Sequence, residues 1–163
     1  KSHVSKTRTP LSYSAEIAKK EVPETFTVFI GPCIAKKREG INDDLVDAVI
    51  TFEELASFFL AWDIDVHDQE ESELLQDLSV RQFAISGGVS KSVDAVLADD
   101  EKVTSLQING LNSKMIRLMK TWEKRAPDAQ FIEVMCCEEG CIGGPGCIAD
   151  PRLVKKKASY ITA

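Results

Sequence analysis

No stretch of this sequence approaches the roughly 20 consecutive apolar residues that a membrane-spanning helix needs, and no signal-peptide pattern stands at its start, so membrane insertion is not expected. Positive charge is in deficit, with 20 Lys and Arg against 26 Asp and Glu and a net charge of -6. Nucleic-acid binding needs clustered cations, so no nucleic-acid partner is expected either. The one basic run, Lys155-Lys156-Lys157, reads as part of a solvated tail over residues 151–163. Histidine is scarce. Only His3 and His67 occur, neither near the cysteines, which weakens a structural zinc module. Five cysteines are too few for a disulfide scaffold, and neither internal repeats nor low-complexity tracts are present.

What remains is an ordinary soluble composition, 44% hydrophobic and 28% charged over 163 residues, enough for one compact domain. The chain opens on Lys1 in mid-pattern, and we expect it to be a piece of something longer. Phe26 to Ile30 and Phe131 to Met135 are short, apolar and rich in β-branched or aromatic residues, which predicts two fully buried strands. Weaker strand patterns cover Val46 to Ile50, Val80 to Ile85 and Ser105 to Ile108. Thr9 and Pro10 suit the N-cap and first turn of a helix reaching about Glu21. Thr51 with Glu54 forms a capping box ahead of Phe52, Leu55, Ala56 and Phe59. Val89, Val93, Val96 and Leu97 form a helical stripe after Ser86-Gly87-Gly88. Asn112 can cap a further helix carrying Met115, Leu118, Met119 and Trp122, with Leu111 stapled to Ile116. Residues 63–79 are acidic and aperiodic, a surface excursion. Strands alternating with helices predict an α/β fold, a mostly parallel sheet flanked by helices.

In such folds ligands sit where the carboxyl ends of strands meet loops. Both strands predicted as fully buried run into cysteines there. The first enters Gly31-Pro32-Cys33-Ile34-Ala35-Lys36-Lys37-Arg38-Glu39; the second enters Cys136-Cys137-Glu138-Glu139-Gly140-Cys141-Ile142-Gly143-Gly144-Pro145-Gly146. Cys137 and Cys141, on a glycine-bearing turn, can point at one soft metal site, and the glycines let backbone N–H groups approach a bulky cluster. Neither zinc-ribbon nor ferredoxin spacing is present, so these residues alone leave iron–sulfur and zinc both open. Lys36, three residues after Cys33, can meet an anionic ligand; equally, Cys33 can be an inert buried thiol beside a surface lysine.

Taken together the segments are more specific. Pro32-Cys33-x-x-Lys36-x-x-Glu39 resembles the second signature of iron-only hydrogenases, and Glu133-Val134-Met135-x-Cys137-x-x-Gly140-Cys141-x-x-Gly144 resembles the third. Their order and their interval of about a hundred residues also agree. Val46 to Thr51, and Phe83 with Ser86 to Val89, are similar to the intervening segments, so the resemblance covers nearly the whole chain as far as about Pro151. It implies the C-terminal portion of the catalytic H-domain, spanning residues 1–163.

The resemblance further implies an H-cluster: a 4Fe-4S cubane on four cysteines, one of them bridging to a di-iron unit with CO, cyanide and dithiolate ligands. Cys33, Cys137 and Cys141 would be cubane ligands, with Cys141 the bridge. Lys36 would hydrogen-bond a cyanide. Met135 would pack beside the di-iron unit and Phe83 would line its pocket. Ser5 would take a proton-relay position, with Thr9 and Pro10 beside a cyanide. Protons and H2 would be the reactants; a ferredoxin or fused iron–sulfur domains would carry electrons, maturation proteins would build the cluster, and the location would be cytoplasmic.

The pattern also departs from that family. Its first motif, with the fourth cubane cysteine, is absent, so the chain alone is expected to be cluster-free and inactive unless Cys136, Cys147 or another chain substitutes. Gly31 stands where prototypes carry methionine, Gly143-Gly144-Pro145-Gly146 replaces a glycine run, and Cys136 replaces a small residue. These features resemble a slower, H2-sensing branch. A non-catalytic hydrogenase-like iron–sulfur assembly protein is the further alternative.

Overall fold

The computed structural model describes residues 3–70 and 82–161, the last five by backbone alone. They fall into two units, residues 1–67 and 68–163, each built around a parallel strand–helix–strand element.

In the first unit, Thr9 and Pro10 start helix α1 (Pro10–Glu21), as expected, and Lys19 and Lys20 complement the carbonyl-rich last turn. Strand β1 (Val28–Ile30) leads through helix α2 (Ile34–Ile41) to strand β2 (Ala48–Ile50). The strands pair in parallel, Val28 with Ala48 through Ile30 with Ile50. Helix α3 (Phe52–Ala61) follows with its capping box formed: the Glu54 amide donates to Thr51 Oγ1 at 3.2 Å and the Thr51 amide to Glu54 Oε2 at 2.8 Å. Leu11, Ala15 and Val46 form a small core, with Phe29, Leu45 and Val49 packed against it. The fully buried reading of β1 is corrected here. Phe29 faces the core, but Val28 and Ile30, pointing the other way, stay 44% and 41% exposed. A pair of three-residue strands has few positions to cover, and successive side chains alternate between its faces.

In the second unit, helix α4 (Gly88–Val96) packs on strand β4 (Phe131–Met135), which pairs in parallel with β3 (Ser105–Asn109) from Ser105–Phe131 to Asn109–Met135. Helix α5 (Ser113–Thr121) makes the crossover, and Asn112 Oδ1 accepts from the amides of Lys114 and Met115, each at 3.0 Å, as its N-cap. Met115, Met119 and Trp122 are half-buried, whereas Leu118 and the staple pair Leu111 and Ile116 are exposed. β4 is not fully buried; its one buried residue is Glu133. In α4 the buried positions are Gly88 and Ser90, while Val96 lies in solvent.

The strand expected over Val80 to Ile85 does not form at its described end. Residues 82–84 make a 3-10 turn and Ile85 contributes one antiparallel bridge to Gly140; residues 80 and 81 lie outside the described residues. Residues 151–161, expected within a tail, form helix α6 (Pro151–Ile161), and Lys155 within the basic run pairs with Glu139. Residues 71–79 of the acidic excursion also lie outside the described residues. The α/β class with parallel strands flanked by helices holds, as two separate parallel pairs.

Candidate functional site

Cys33 occupies the N-cap position of α2, immediately past the end of β1, half-buried and without a side-chain capping bond. The Lys36 amide donates to the Cys33 carbonyl at 3.1 Å. One turn on, Lys36 Nζ pairs with Glu39 Oε2 at 2.6 Å, both side chains partly shielded. Glu39 Oε1 also accepts the hydroxyl of Thr9, which joins the start of α1 to α2. That hydroxyl is therefore on Glu39 instead of capping its own helix. Cys33, Lys36, Thr9 and the adjoining Pro10 are brought to one neighbourhood. Ser5 lies on the exposed segment before α1, accepting from the Thr7 amide at 3.1 Å.

The remaining expected residues, Phe83, Met135, Cys137 and Cys141, lie in the second unit. Past β4 the chain makes a hook that the β3–β4 ladder holds at its base: the Gly110 and Leu111 amides donate to the carbonyls of Met135 and Cys136 at 3.0 and 2.9 Å. The Gly140 amide donates to the Cys137 carbonyl at 3.2 Å, and the Gly144 amide to the Cys141 carbonyl at 2.9 Å, closing two turns that bracket the thiols. Glu139 and Gly140 both have positive φ, 65° and 80°. A side chain at Gly140 would put its Cβ 2.7 Å from the Ser86 amide nitrogen, so glycine is required. For a glutamate the left-handed conformation costs on the order of 1–3 kcal/mol and persists only when its surroundings hold it. Three groups do so: the Glu139 amide donates to Asn109 Oδ1 at 2.7 Å, the Ser86 amide donates to the Glu139 carbonyl at 3.3 Å, and Lys155 Nζ meets the carboxylate at 2.5 Å.

Cys137 and Cys141 are half-buried, and Cys136 is exposed. The Cys147 thiol lies 3.6 Å from the Cys141 carbonyl oxygen, and burial pushes its pKa up, partly offset by a hydrogen bond from the Gly144 backbone. Phe83 is at the surface two residues before the Ile85–Gly140 bridge.

Sequence reasoning named Glu133 as a motif residue but gave it no role. Only 4% exposed, it takes the Gly87 amide on one oxygen and both the amide and hydroxyl of Ser90 on the other. The available signal was the acid itself: a carboxylate at the middle of FIEVM must find donors if the strand is covered. Asn109 and Glu139 carried no comparable signal.

The donor set suits an iron–sulfur cluster in kind, since soft thiolates are what a cubane takes. It falls short in number. The two signatures provide three cysteines where a cubane needs four, and among the described residues no three His, Cys, Asp or Glu side chains gather as a ready metal site.

Two solved structures share this fold. One, described by its stepwise [FeFe]-hydrogenase H-cluster assembly, aligns with a TM-score of 0.57 at 18% identity over 92% of this chain and 56% of its own. The other, a study of oxygen inactivation of [FeFe]-hydrogenase, aligns at 0.64 and 17% over 99% of this chain and 59% of its own. The class is therefore an α/β domain with the hydrogenase H-domain fold. Residues 1–145 match the family described as the iron only hydrogenase large subunit, C-terminal domain, and the chain belongs to that family. It is 27% identical to the periplasmic [Fe] hydrogenase large subunit of Nitratidesulfovibrio vulgaris, covering 83% of this chain and 42% of that protein. It is 25% identical to iron hydrogenase 1 of Clostridium pasteurianum, covering 83% and 30%. The chain thus spans less than half the length of these relatives. No helix among the described residues is long and apolar enough to cross a membrane.

Proposed function

We propose that Cys33, Cys137 and Cys141 provide three of the four thiolates for the cubane of an H-cluster, in a protein that interconverts protons and electrons with H2. The fourth comes from the family's first motif, which these 163 residues do not contain. The observation that carries this reading is positional. Both cysteine signatures sit directly past the carboxyl ends of parallel strands, Cys33 after β1 and the hook after β4, where α/β domains bind ligands.

When bound, the cluster supplies the metal centre and electron reservoir for the reaction. The chain's own groups supply the surroundings. Lys36, held by Glu39 and through it by Thr9, places a cation at the start of α2. Met135 and Phe83 give apolar packing on the hook side, and Ser5 offers a hydroxyl for a proton route. A ferredoxin-like carrier and maturation proteins are the partners this reading calls for, in the cytoplasm.

Iron and sulfide analysis of the native full-length protein, matured with its dedicated enzymes, tests the proposal. Cys33→Ala, Cys137→Ala and Cys141→Ala should each lose the cubane signal and the CO and cyanide infrared bands, while Cys136→Ala and Cys147→Ala keep them. Full iron occupancy in Cys33→Ala overturns the ligand assignment.

One observation favours an H2-sensing role over fast turnover. A side chain at Gly31 would bring its Cβ to 2.8 Å from the Phe29 ring, so Phe29 would have to shift to admit the methionine that prototypes carry there. If sensing is the role, H2 should change the infrared bands of the matured protein while turnover remains slow. Rapid turnover in the unaltered protein would remove this second reading.

A further inference from the structure

We infer that helix α6 is a strap on the hook, and that Glu139 and Lys155 are positioning residues that fix the direction of the Cys137 and Cys141 thiols. The cluster part of this inference rests on the ligand assignment above; the strap itself does not.

Glu139 lies midway between the two cysteines, two residues from each, and with Gly140 it forms the pair of positive-φ residues that reverses the chain. Glycine would take that conformation without steric cost, yet the position holds a glutamate. Its carboxylate explains the choice, because it is the part of the residue that reaches α6, where it meets Lys155 at 2.5 Å. The backbone contacts from Asn109 and Ser86 hold the turn from the sheet side. Lys155 closes it from the opposite end of the sequence.

Helix α6 carries its own cap. Asp150 Oδ1 accepts the Arg152 amide at 2.8 Å, a capping bond at its first turn, and Asp150 Oδ2 pairs with the Arg152 guanidinium at 2.8 Å. The helix also packs against the 3-10 turn Cys141–Gly143. It therefore touches the hook on both sides of Gly140: by an ion pair before it and by packing after it. All of α6 lies beyond residue 145, where the match to the family ends.

The test is amide hydrogen exchange on the full chain, comparing Lys155→Glu, Glu139→Lys and the double charge swap. Each single variant should speed exchange of the 137–144 amides roughly two- to five-fold, the range set by one partly exposed ion pair. The double swap should restore protection, and the Ser105–Asn109 amides should stay protected throughout as the control for an intact fold. Unchanged hook exchange in the single variants, or equal acceleration in the double swap, overturns the strap. In the matured full-length protein, the cubane resonance of the single variants should shift and return in the swap. Hook exchange that follows the prediction beside an unmoved resonance leaves the strap standing and overturns its positioning role. If the unaltered protein shows no cubane at all, the ligand assignment fails, while the exchange result still decides the strap.

Discussion

Glu133 receives Ser90 twice: the backbone amide and the hydroxyl each stand 2.8 Å from the same carboxylate oxygen, while the Gly87 amide reaches the other oxygen at 2.7 Å. A buried acid on β4 thus does for α4 what an N-cap side chain would, at a helix start where the N-cap is a glycine with φ 89°. The negative charge sits at the positive end of the helix and accepts its orphan donors. The consequence reaches the hook. The turn that Glu133 grips, residues 86–90, is the same one that meets the Glu139 carbonyl and, through Ile85, Gly140.

Removing this carboxylate should therefore be costly. Glu133→Ala leaves three buried donors without acceptors, each a penalty of about 1–3 kcal/mol, so a total loss of at least about 3 kcal/mol is expected from urea denaturation at neutral pH. Glu133→Gln keeps the shape and one acceptor oxygen but turns an NH2 toward an amide, and should cost about half as much. A loss below about 1 kcal/mol for the alanine variant would show that water replaces the carboxylate and that the grip is unimportant.

The caps offer a sharper comparison. Thr51 and Thr9 both stand at helix N-caps after extended residues, and their sequences look equivalent. Only Thr51 caps. Thr51→Ala should cost about 1 kcal/mol of stability by loss of the capping box. Thr9→Ala should leave α1 helicity unchanged by circular dichroism, because its hydroxyl serves Glu39 instead. Its effect should appear in the Lys36 and Glu39 side chains, as increased mobility of the Lys36 ammonium in NMR. A fall in α1 helicity in Thr9→Ala equal to that of α3 in Thr51→Ala would contradict this division.

That contrast shows where sequence reasoning reached and where it stopped. Helix starts were legible because their signals are local: Thr51 with Glu54 and Asn112 cap within one turn of chain, and Pro10 suits the first turn of α1 by its fixed φ. β4 was legible to the residue because FIEVM is a short apolar run rich in β-branched and aromatic residues. Burial was not, since it depends on what covers a strand, and a pair of two-stranded sheets covers little. Val80 to Ile85 read as a strand from its apolar residues, yet its described end is a turn whose one bridge goes to Gly140, a partner 55 residues further along the chain. The cysteine signatures were legible as motifs, while the groups that shape the hook, Asn109, Ser86 and Lys155, are distant in sequence and ordinary in type.

Asp47 makes the acid stability of the first unit predictable. Its carboxylate meets Lys19 at 2.8 Å and also takes the backbone and hydroxyl of Thr27, and these partners lower its pKa from 3.8 to about 2. A depressed carboxyl stabilises the folded state fully above the unfolded value and ceases to do so as pH falls through the folded one. Its contribution should be complete above about pH 4 and lost between there and about pH 2. Asp47→Asn should therefore be less stable than the parent by a constant margin near neutrality, and that margin should shrink over this window in denaturation at stepped pH. High salt should narrow the margin at neutral pH, since the pair faces solvent. A margin that stays constant down to pH 2 would mean the carboxylate acts only as a hydrogen-bond acceptor.

Gly140→Ala tests the hook where it has least freedom. The residue sits at φ 80°, and an added Cβ meets the Ser86 nitrogen at 2.7 Å and the Ala84 carbonyl oxygen at 2.8 Å, both backbone atoms that cannot rotate away. The conformational penalty alone is about 1–3 kcal/mol, and relief of the contact requires the Ile85–Gly140 bridge to open. The turn 86–90 is still gripped by Glu133, so the displacement must fall on the hook's side of the bridge. Alkylation of Cys137 and Cys141 should accelerate in this variant by more than tenfold. Alkylation of Cys33, which lies in the other unit, should stay at the parental rate, a contrast that separates local opening from general unfolding. Equal acceleration at all three thiols would mean that the substitution unfolds the chain, and that the bridge at Gly140 does not by itself control the hook.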